Sequence, residues 1–302
     1  MNPQERPLTG LRVSLSVSES EDTNGLGFPP EQVNRITVQI AAGLVGQGAT
    51  VIFGHDWRED GVMEAVHAFA QQMQPPMLKE GPSEPLLQNM LAWPDKPHLP
   101  AEELVGLSAT LRVESKGLPI DVSNYAEEAI GAGRNSDLFK YLRARALTYL
   151  REQITAFSGA RLCIGGRISG SEGRCPGVIE EAYLAVEHSK PLYLSGLLGG
   201  ASRNLIQIIE NRQITGDFFP PASVALLYDK PPIRDAGVVA EVKLLSPGNI
   251  TRSFQDLGLE GLSRMNGLTV DENTKLFHSP AVDDVVGLML LGLARLKTPP
   301  RG

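Results

Sequence analysis

The residue types most suited to chemistry gather in two glycine-rich runs. Gly165-Gly166-Arg167-Ile168-Ser169-Gly170-Ser171-Glu172-Gly173-Arg174-Cys175-Pro176-Gly177-Val178-Ile179-Glu180-Glu181-Ala182 follows a short apolar stretch, and Gly196-Leu197-Leu198-Gly199-Gly200-Ala201-Ser202-Arg203 follows another. Glycines at the carboxyl end of a strand let a ligand approach the backbone, and the next helix presents unpaired N–H groups to an anion. Gly165, Gly166, Gly170, Gly173, Pro176 and Gly177, with Gly199, Gly200 and Ser202, are therefore expected to line a ligand site. Arg167, Arg174 and Arg203 beside these turns suit phosphate, which a guanidinium holds bidentately; solvated surface arginine is the competing reading. Glu180 and Glu181 stand in the first turn of the following helix, where complementing the helix dipole competes with contacting a ligand.

Other reactive types carry less. His55-Asp56 is a candidate acid/base pair, but neighbours at a strand end point in different directions, and Asp56 equally suits capping the next helix. Cys175 lies beside Arg174 and a helix N-terminus, conditions that lower a thiol pKa, although an incidental cysteine is the favoured reading. His67, His98, His188 and His278 have no metal-ligand spacing, and no Gly-x-Ser-x-Gly elbow supports a hydrolase triad. Neither a metal site nor a bound cofactor is expected.

Alternation in Leu11–Ser18 predicts a strand, followed by the polar loop Glu19–Gly27. Pro29-Pro30-Glu31 suits a helix start; Val33, Ile36, Ile40, Leu44 and Val45 keep helical spacing up to Gly46 or Gly48. Thr50–Phe53 is a second strand, ending at Gly54-His55-Asp56 before a helix with Met63, Val66 and Phe69; this order opens a parallel α/β sheet. Between residues 75 and 100 seven prolines favour turns and edge strands, in a connection that must still bury Leu86, Leu87, Met90, Leu91 and Trp93. Ala109–Val113 reads as a further strand. From Asp137, an apolar stripe of Leu138, Tyr141, Leu142, Leu147, Leu150, Ile154 and Phe157 predicts a long helix, with Arg143, Arg145 and Arg151 off the stripe. Strands at Ala160–Ile164 and Pro191–Ser195 then lead into the two glycine-rich turns. Four strand ends, Ser16-Val17-Ser18 with Glu19, Gly54-His55-Asp56 and both turns, are thus expected on one rim, where open α/β sheets bind ligands. Beyond residue 212 come Phe218-Phe219-Pro220-Pro221, helical patterns at Leu257–Met265 and Ala281–Leu296, a capped helix start at Thr269 with Glu272, and a frayed tail from Lys297.

The chain of 302 residues can bury one large core or two ordinary ones without disulfides. Its 42% hydrophobic and 21% charged residues exclude a disordered or collagen-like chain. No apolar run approaches the ~18–20 residues that span a bilayer, and no secretory leader is visible. The only cysteines, Cys163 and Cys175, lie outside any Cys-x-x-Cys pattern, so free thiols in a cytoplasmic protein are expected. A net charge of −7 argues against a nucleic acid as partner.

Neither Gly-x-Gly-x-x-Gly in a Rossmann context nor a Gly-Lys-Ser/Thr phosphate loop is present. The serine-rich first strand end, Gly-His-Asp after the second, the long helix with Arg151 and the run Gly-Gly-Arg…Gly-Arg-x-Pro-Gly-x-x-Glu-Glu-Ala, with Lys-Pro-Leu-Tyr-Leu downstream, resemble the SLOG superfamily over about residues 8–212. That superfamily groups the DNA-processing Smf/DprA proteins, the Lonely Guy phosphoribohydrolases and ligand-sensing domains of TRPM channels and antiphage effectors. The resemblance implies a Rossmann-like sheet that binds a nucleotide or nucleotide-derived ligand. In the phosphoribohydrolase branch a helical Arg and the Glu of Pro-Gly-Gly-x-Gly-Thr-x-x-Glu act on an N-glycosidic bond. Glu181 matches that Glu by its distance from Gly177, and Arg151 matches the Arg by position. A carboxylate there can orient water or stabilise an oxocarbenium-like sugar, while a guanidinium holds phosphate. The motif is incomplete, however, with Val178 where Thr would stand, which moves the reading toward binding without turnover.

The expectation is an α/β fold: a Rossmann-like parallel sheet flanked by helices, with a nucleotide-binding core at 8–212 and a helical extension at 213–302 packed on it. Its first function is to bind or sense a nucleotide or NAD-derived small molecule through Ser16, Ser18, Glu19, Gly54, His55, Asp56 and the glycine turns. The alternative is a nucleotide N-glycosidase using Glu181 and Arg151. A homo-oligomer is expected, and since no effector domain is fused to the chain, a sensor would need a separate effector protein.

Overall fold

The computed structural model describes residues 6–72, 85–108, 110–211, 225–233 and 245–297. Arg12–Ser18 (β1), Thr50–Phe53 (β2), Leu87–Ala92 (β3), Leu111–Lys116 (β4), Ala160–Gly165 (β5) and Leu192–Ser195 (β6) form one sheet in the order β4-β3-β2-β1-β5-β6. Every pairing is parallel. The direction of strand succession reverses between β1 and β5, which pair from Val13↔Ala160 to Ser18↔Gly165. Their carboxyl ends therefore frame the crevice where such sheets hold ligands. The Rossmann-like expectation holds.

The two faces of β1 differ in chemistry. Val13, Leu15 and Val17 are buried with Val33, Ile36 and Ile40 of Pro30–Gly46 (α1) and with Met63 and Val66 of Val62–Gln72 (α2). Full burial of one such side chain contributes about 1.5–3 kcal/mol. The opposite face is covered by the helix Asp137–Phe157, which starts where the apolar stripe predicts, with Ser136 as N-cap accepting from Phe139 N–H. Its Ala146, Leu150 and Ile154 pack on Ile52 of β2 and on Met90 and Ala92 of β3. Over β1 and β5, by contrast, that face carries Ser14, Ser16 and Arg161, all buried. Polar groups at that depth need partners, and the partners build the site.

The proline-rich middle departs from expectation. Leu87–Ala92 is an interior strand, buried along its whole length between β2 and β4, not an edge strand or turn. The physical reason is positional: Pro85 and Pro94 flank the strand, so every ladder N–H inside it remains available. Residues 73–84, with Pro75, Pro76 and Pro82, lie outside the described residues. The strand expected at Ala109–Val113 is Leu111–Lys116, and Ala109 is not described. Ala101–Leu107 (α3), the 3₁₀ turn Ile120–Tyr125 and Ala126–Ala132 (α4) complete this half before Asp137–Phe157 (α5).

After α5 come Gly177–Glu187 (α6), Gly200–Ile209 (α7), Ala225–Asp229 (α8), Pro247–Asn266 (α9), Val270–His278 (α10) and Val282–Lys297 (α11). Phe218 to Pro221 lie outside the described residues. Pro247–Asn266 begins ahead of the pattern read at Leu257, because Ser246 caps it and the chain bends at Gly258 (φ 54°). Ile250, Phe254 and Leu262 bury against Ile179, Ala182, Leu205 and Ile209. Tyr193 Oη donates to Asn266 O at 2.7 Å and Asn266 Nδ2 donates to Leu192 O at 3.0 Å, tying α9 to the edge strand β6. Thr269 and Glu272 form the expected capping box. Val285, Met289 and Leu293 of α11 join the α1 side of the core. Among the described residues no helix is long and apolar enough to cross a membrane.

Candidate functional site

Thr148, Arg151 and Thr155 recur at helical spacing on α5 and so face α6 and the sheet together. Opposite them stands Glu180, which is fully buried. Its carboxylate accepts from Arg151 Nη1, from Arg174 Nε at 2.6 Å and from Thr148 Oγ1 at 2.8 Å. Burial pushes this carboxyl's pKa up, but Arg151 and Arg174 outweigh it and hold the group below its ordinary value. Arg174, expected to meet phosphate, is thus bonded inward to Glu180.

Glu181 is the more accessible neighbour, with its side chain 16% exposed. Its carboxylate lies 3.7 Å from Arg151 Nε and 3.4 Å from Arg161 Nη1. Arg161 crosses beneath α5, donating from Nη1 to Ser16 Oγ at 2.8 Å and from Nη2 to Thr155 Oγ1 at 3.2 Å. Its Nε is buried without a partner. Thr155 Oγ1 in turn donates to Arg151 O at 2.8 Å. Gly173 and Gly177 admit this arrangement: a Cβ on either would lie 2.7 Å from an Arg151 nitrogen. The loop glycines therefore clear a path for a guanidinium of the chain itself.

His55 enters from the end of β2. Its Nε2 faces Val17 O at 2.8 Å; since a carbonyl only accepts, Nε2 carries the proton and Nδ1 is an acceptor. That Nδ1 is buried without a donor. Burial lowers the imidazole pKa, while the Glu181 carboxylate pulls the other way. Asn89 holds the strand end, donating to His55 O at 2.9 Å and accepting from Trp57 Nε1 at 2.9 Å. Asp56 pairs instead with Arg58 at 2.9 Å on the surface, and α2 starts only at Val62, so neither the acid/base pair with His55 nor the cap is formed.

At the rim, Ser18 O accepts from Gly166 N–H at 3.2 Å. Gly165 is required there: at φ 71° its Cβ would fall 2.1 Å from Ser18 O. Glu19 pairs with Arg167 at 3.0 Å. Glu21 accepts from the N–H groups of Ile168 and Ser169 and from Ser169 Oγ at 2.7 Å. Asp22 accepts from Gly200 N–H at 2.9 Å and from Arg203 Nη1 at 3.3 Å. Gly199, at the start of α7, leaves room for that Asp22 carboxylate, and Gly170 borders open space. Gly54 packs under Ile154 of α5, and Pro176 stands at the N-cap of α6. Ser202 is wholly buried in α7, its Oγ unpartnered.

Cys175 fits the favoured reading of an incidental cysteine, and only the lowered thiol pKa suggested by its flanking charges is overturned. Burial pushes its thiol pKa well above the ordinary value, with Glu180 adding to the rise against Arg151 and Arg174. A buried thiol facing a carboxylate is no nucleophile. Burial likewise pushes Cys163 up to about 12. Sequence reasoning also missed Thr148, Thr155, Arg161, Asn89, Glu21 and Asp22. The signal for Arg161 was a lone charge inside the buried strand Ala-Arg-Leu-Cys-Ile-Gly, and for Asn89 an amide inside an apolar run. An open groove of about 480 Å³ between α1 and α2, lined by Glu31, Asn34, Arg35, Val38, Asp60 and Glu64, includes none of these groups.

A family model described as SLOG cluster2 matches residues 7–276, a span that continues past residue 212 through α9 and into α10. No curated protein and no solved structure matches the chain.

Proposed function

Because the chain belongs to the SLOG cluster2 family, we propose that its β1/β5 crevice binds a nucleotide or NAD-derived small molecule and that the protein acts as a sensor of it. Family membership supports a nucleotide-related role, in binding or in catalysis. The observation that carries the finer reading is the pair of unmet polar atoms beside Glu181: the acceptor His55 Nδ1 and the donor Arg161 Nε. Leaving such a group unpaired costs about 1–3 kcal/mol, and because both atoms are sealed from solvent, a ligand gains by meeting them only where its entry opens the crevice. A nucleotide has hydroxyl and amine donors for the imidazole and phosphate or ring oxygens for the guanidinium. Turnover is the second reading, because Glu181 and Arg151 do lie side by side. Against it, Val178 is buried and supplies no hydroxyl where the phosphoribohydrolase motif has Thr. In this reading a separate effector protein takes the signal from a homo-oligomer, which sedimentation with and without ligand would test.

A nucleotide panel scored for both thermal shift and base release decides between the two. Stabilisation by a compound recovered intact supports sensing. Base release that Glu181→Gln abolishes supports an N-glycosidase. A panel that neither stabilises the protein nor loses base overturns the nucleotide site altogether.

A further inference from the structure

The anion-binding donors of the rim are already engaged by anions of the chain itself. Three acidic side chains of one loop reach three different features. Glu19 takes Arg167 at 3.0 Å. Glu21 takes the Ile168 and Ser169 N–H groups at 3.1 and 3.0 Å, with Ser169 Oγ at 2.7 Å. Asp22 takes Gly200 N–H at 2.9 Å and Arg203 at 3.3 Å. Successive backbone N–H groups in a glycine-rich loop, with guanidiniums beside them, are the donor set that phosphate oxygens use. A carboxylate is a poorer fit to it, with two oxygens and one charge.

Two observations mark these contacts as replaceable. First, they are solvent-exposed: the Arg167 side chain is 65% exposed, and Asp22 and Arg203 are 43% and 40% exposed. The exposed ion pairs of Arg167 with Glu19 and of Arg203 with Asp22 hold by about 0–1 kcal/mol each, and the Glu21 hydrogen bonds also lie at the exposed surface. Second, the loop backbone does not depend on them. Ser20 and Thr23 are buried and anchor the turn, with Ser20 N–H donating to Thr23 Oγ1 at 2.6 Å and Ser20 Oγ to Leu198 O at 2.5 Å. The carboxylates can rotate away while the turn stays docked on the β6–α7 connection.

We propose that Glu21 and Asp22 are a built-in plug: their carboxylates fill two anion subsites that, in the ligand complex, take the linked phosphates of a diphosphate-bearing ligand. The inference rests on the nucleotide reading for its ligand class and adds to it a competition between the chain and the ligand. The empty protein is held closed by its own acids, and a diphosphate opens it by replacing both carboxylates at once. A single phosphate replaces only one, which makes the site select for diphosphates.

Calorimetric titration of the full chain with inorganic pyrophosphate and with orthophosphate tests this. The Glu21→Gln/Asp22→Asn variant is expected to bind pyrophosphate roughly three- to tenfold more tightly than wild type, the scale of two exposed pairs removed. Pyrophosphate should exceed orthophosphate in both proteins, and Arg167→Ala/Arg203→Ala should weaken it. Unchanged or weaker pyrophosphate binding by the acid variant, or no preference over orthophosphate, overturns the plug. A carbon-detected NMR titration provides a readout without mutation: the Glu21 carboxyl pKa, held low by its Ser169 and Ile168 contacts, should return to its ordinary value in saturating pyrophosphate. A value that stays low overturns displacement. If nucleotides stabilise wild type while the acid variant shows no gain, the plug falls and the nucleotide reading stands. If the gain is seen but no nucleotide outperforms pyrophosphate, the plug stands and the nucleotide reading falls.

Discussion

The turn after β5 separates two groups of paired charges made from the same residue types. On its α5 side, Glu180 is sealed between Arg151, Arg174 and Thr148, and Arg161 is 2% exposed beneath Glu181. On its rim side, Glu19, Glu21 and Asp22 meet Arg167, Ser169, Gly200 and Arg203 in contact with water. Burial makes the difference. In the interior a charge that loses its partner has no water to replace it, so each member of the first group holds the others in place. At the rim, water and salt compete at every moment, and the same pairings become exchangeable. The inner group is suited to fix the geometry of Glu181, the outer one to give way to a ligand.

Four experiments test that contrast. The largest effect belongs to Glu180→Ala, which leaves Arg151 and Arg174 buried without their shared counter-charge. Chemical denaturation should show a loss of about 3–5 kcal/mol; a loss below about 1 kcal/mol would mean the inner group behaves like the rim. Next comes Gly177→Ala, whose methyl would lie 2.7 Å from an Arg151 nitrogen that Glu180 prevents from swinging aside. Overpacking of this kind costs about 1–3 kcal/mol, and the same substitution at Gly117, where a Cβ meets open space and the backbone is not left-handed, should cost less.

The third is pH dependence. The folded His55 resists protonation more than the unfolded residue, so its contribution is fully present above the ordinary imidazole pKa and is lost as pH falls below it. The folded Glu180 carboxylate is held below its ordinary pKa; its contribution is present above that value and lost as pH falls further, through the folded one. Stability should therefore decline in two stages on acidification, each limited to about 1.4 kcal/mol per pH unit. His55→Gln should flatten the upper stage and Glu180→Gln the lower. A wild-type curve flat from pH 7 to 5 would remove His55 from the buried set. The smallest effect is Glu21→Gln, expected to change stability by less than about 1 kcal/mol and to match wild type at high salt. A loss comparable to that of Glu180→Ala would erase the distinction between the two groups.

Much of the frame was legible in the chain. Alternation in Leu11–Ser18, the stripe from Leu138 to Phe157 and the Thr269/Glu272 pair each depend on contacts within a few residues, and each has its expected structure. The rim residues Ser18, Gly165 and Gly166 were legible for the same reason, since a strand end followed by glycines is a local signal. The interior strand Leu87–Ala92 was misjudged because prolines were counted across a window, whereas only those inside the ladder remove a donor. Cys175 is incidental, as favoured, but the direction of its pKa shift was not legible: its neighbours in sequence are cationic, while its burial and the Glu180 beside it belong to packing.

Periodicity and backbone freedom over short spans make most of the strands and helices, their parallel alternation and the glycine turns at the strand ends readable from the chain alone. Tertiary packing alone brings Arg161, from the foot of β5, under α5 to Ser16 and Glu181, and carries the acids of the β1–α1 loop across to the turns after β5 and β6. Except for Arg161 with Glu181, these partnerships join residues more than a hundred positions apart, and whether a charge lies in water or in the core depends on what the whole chain packs around it.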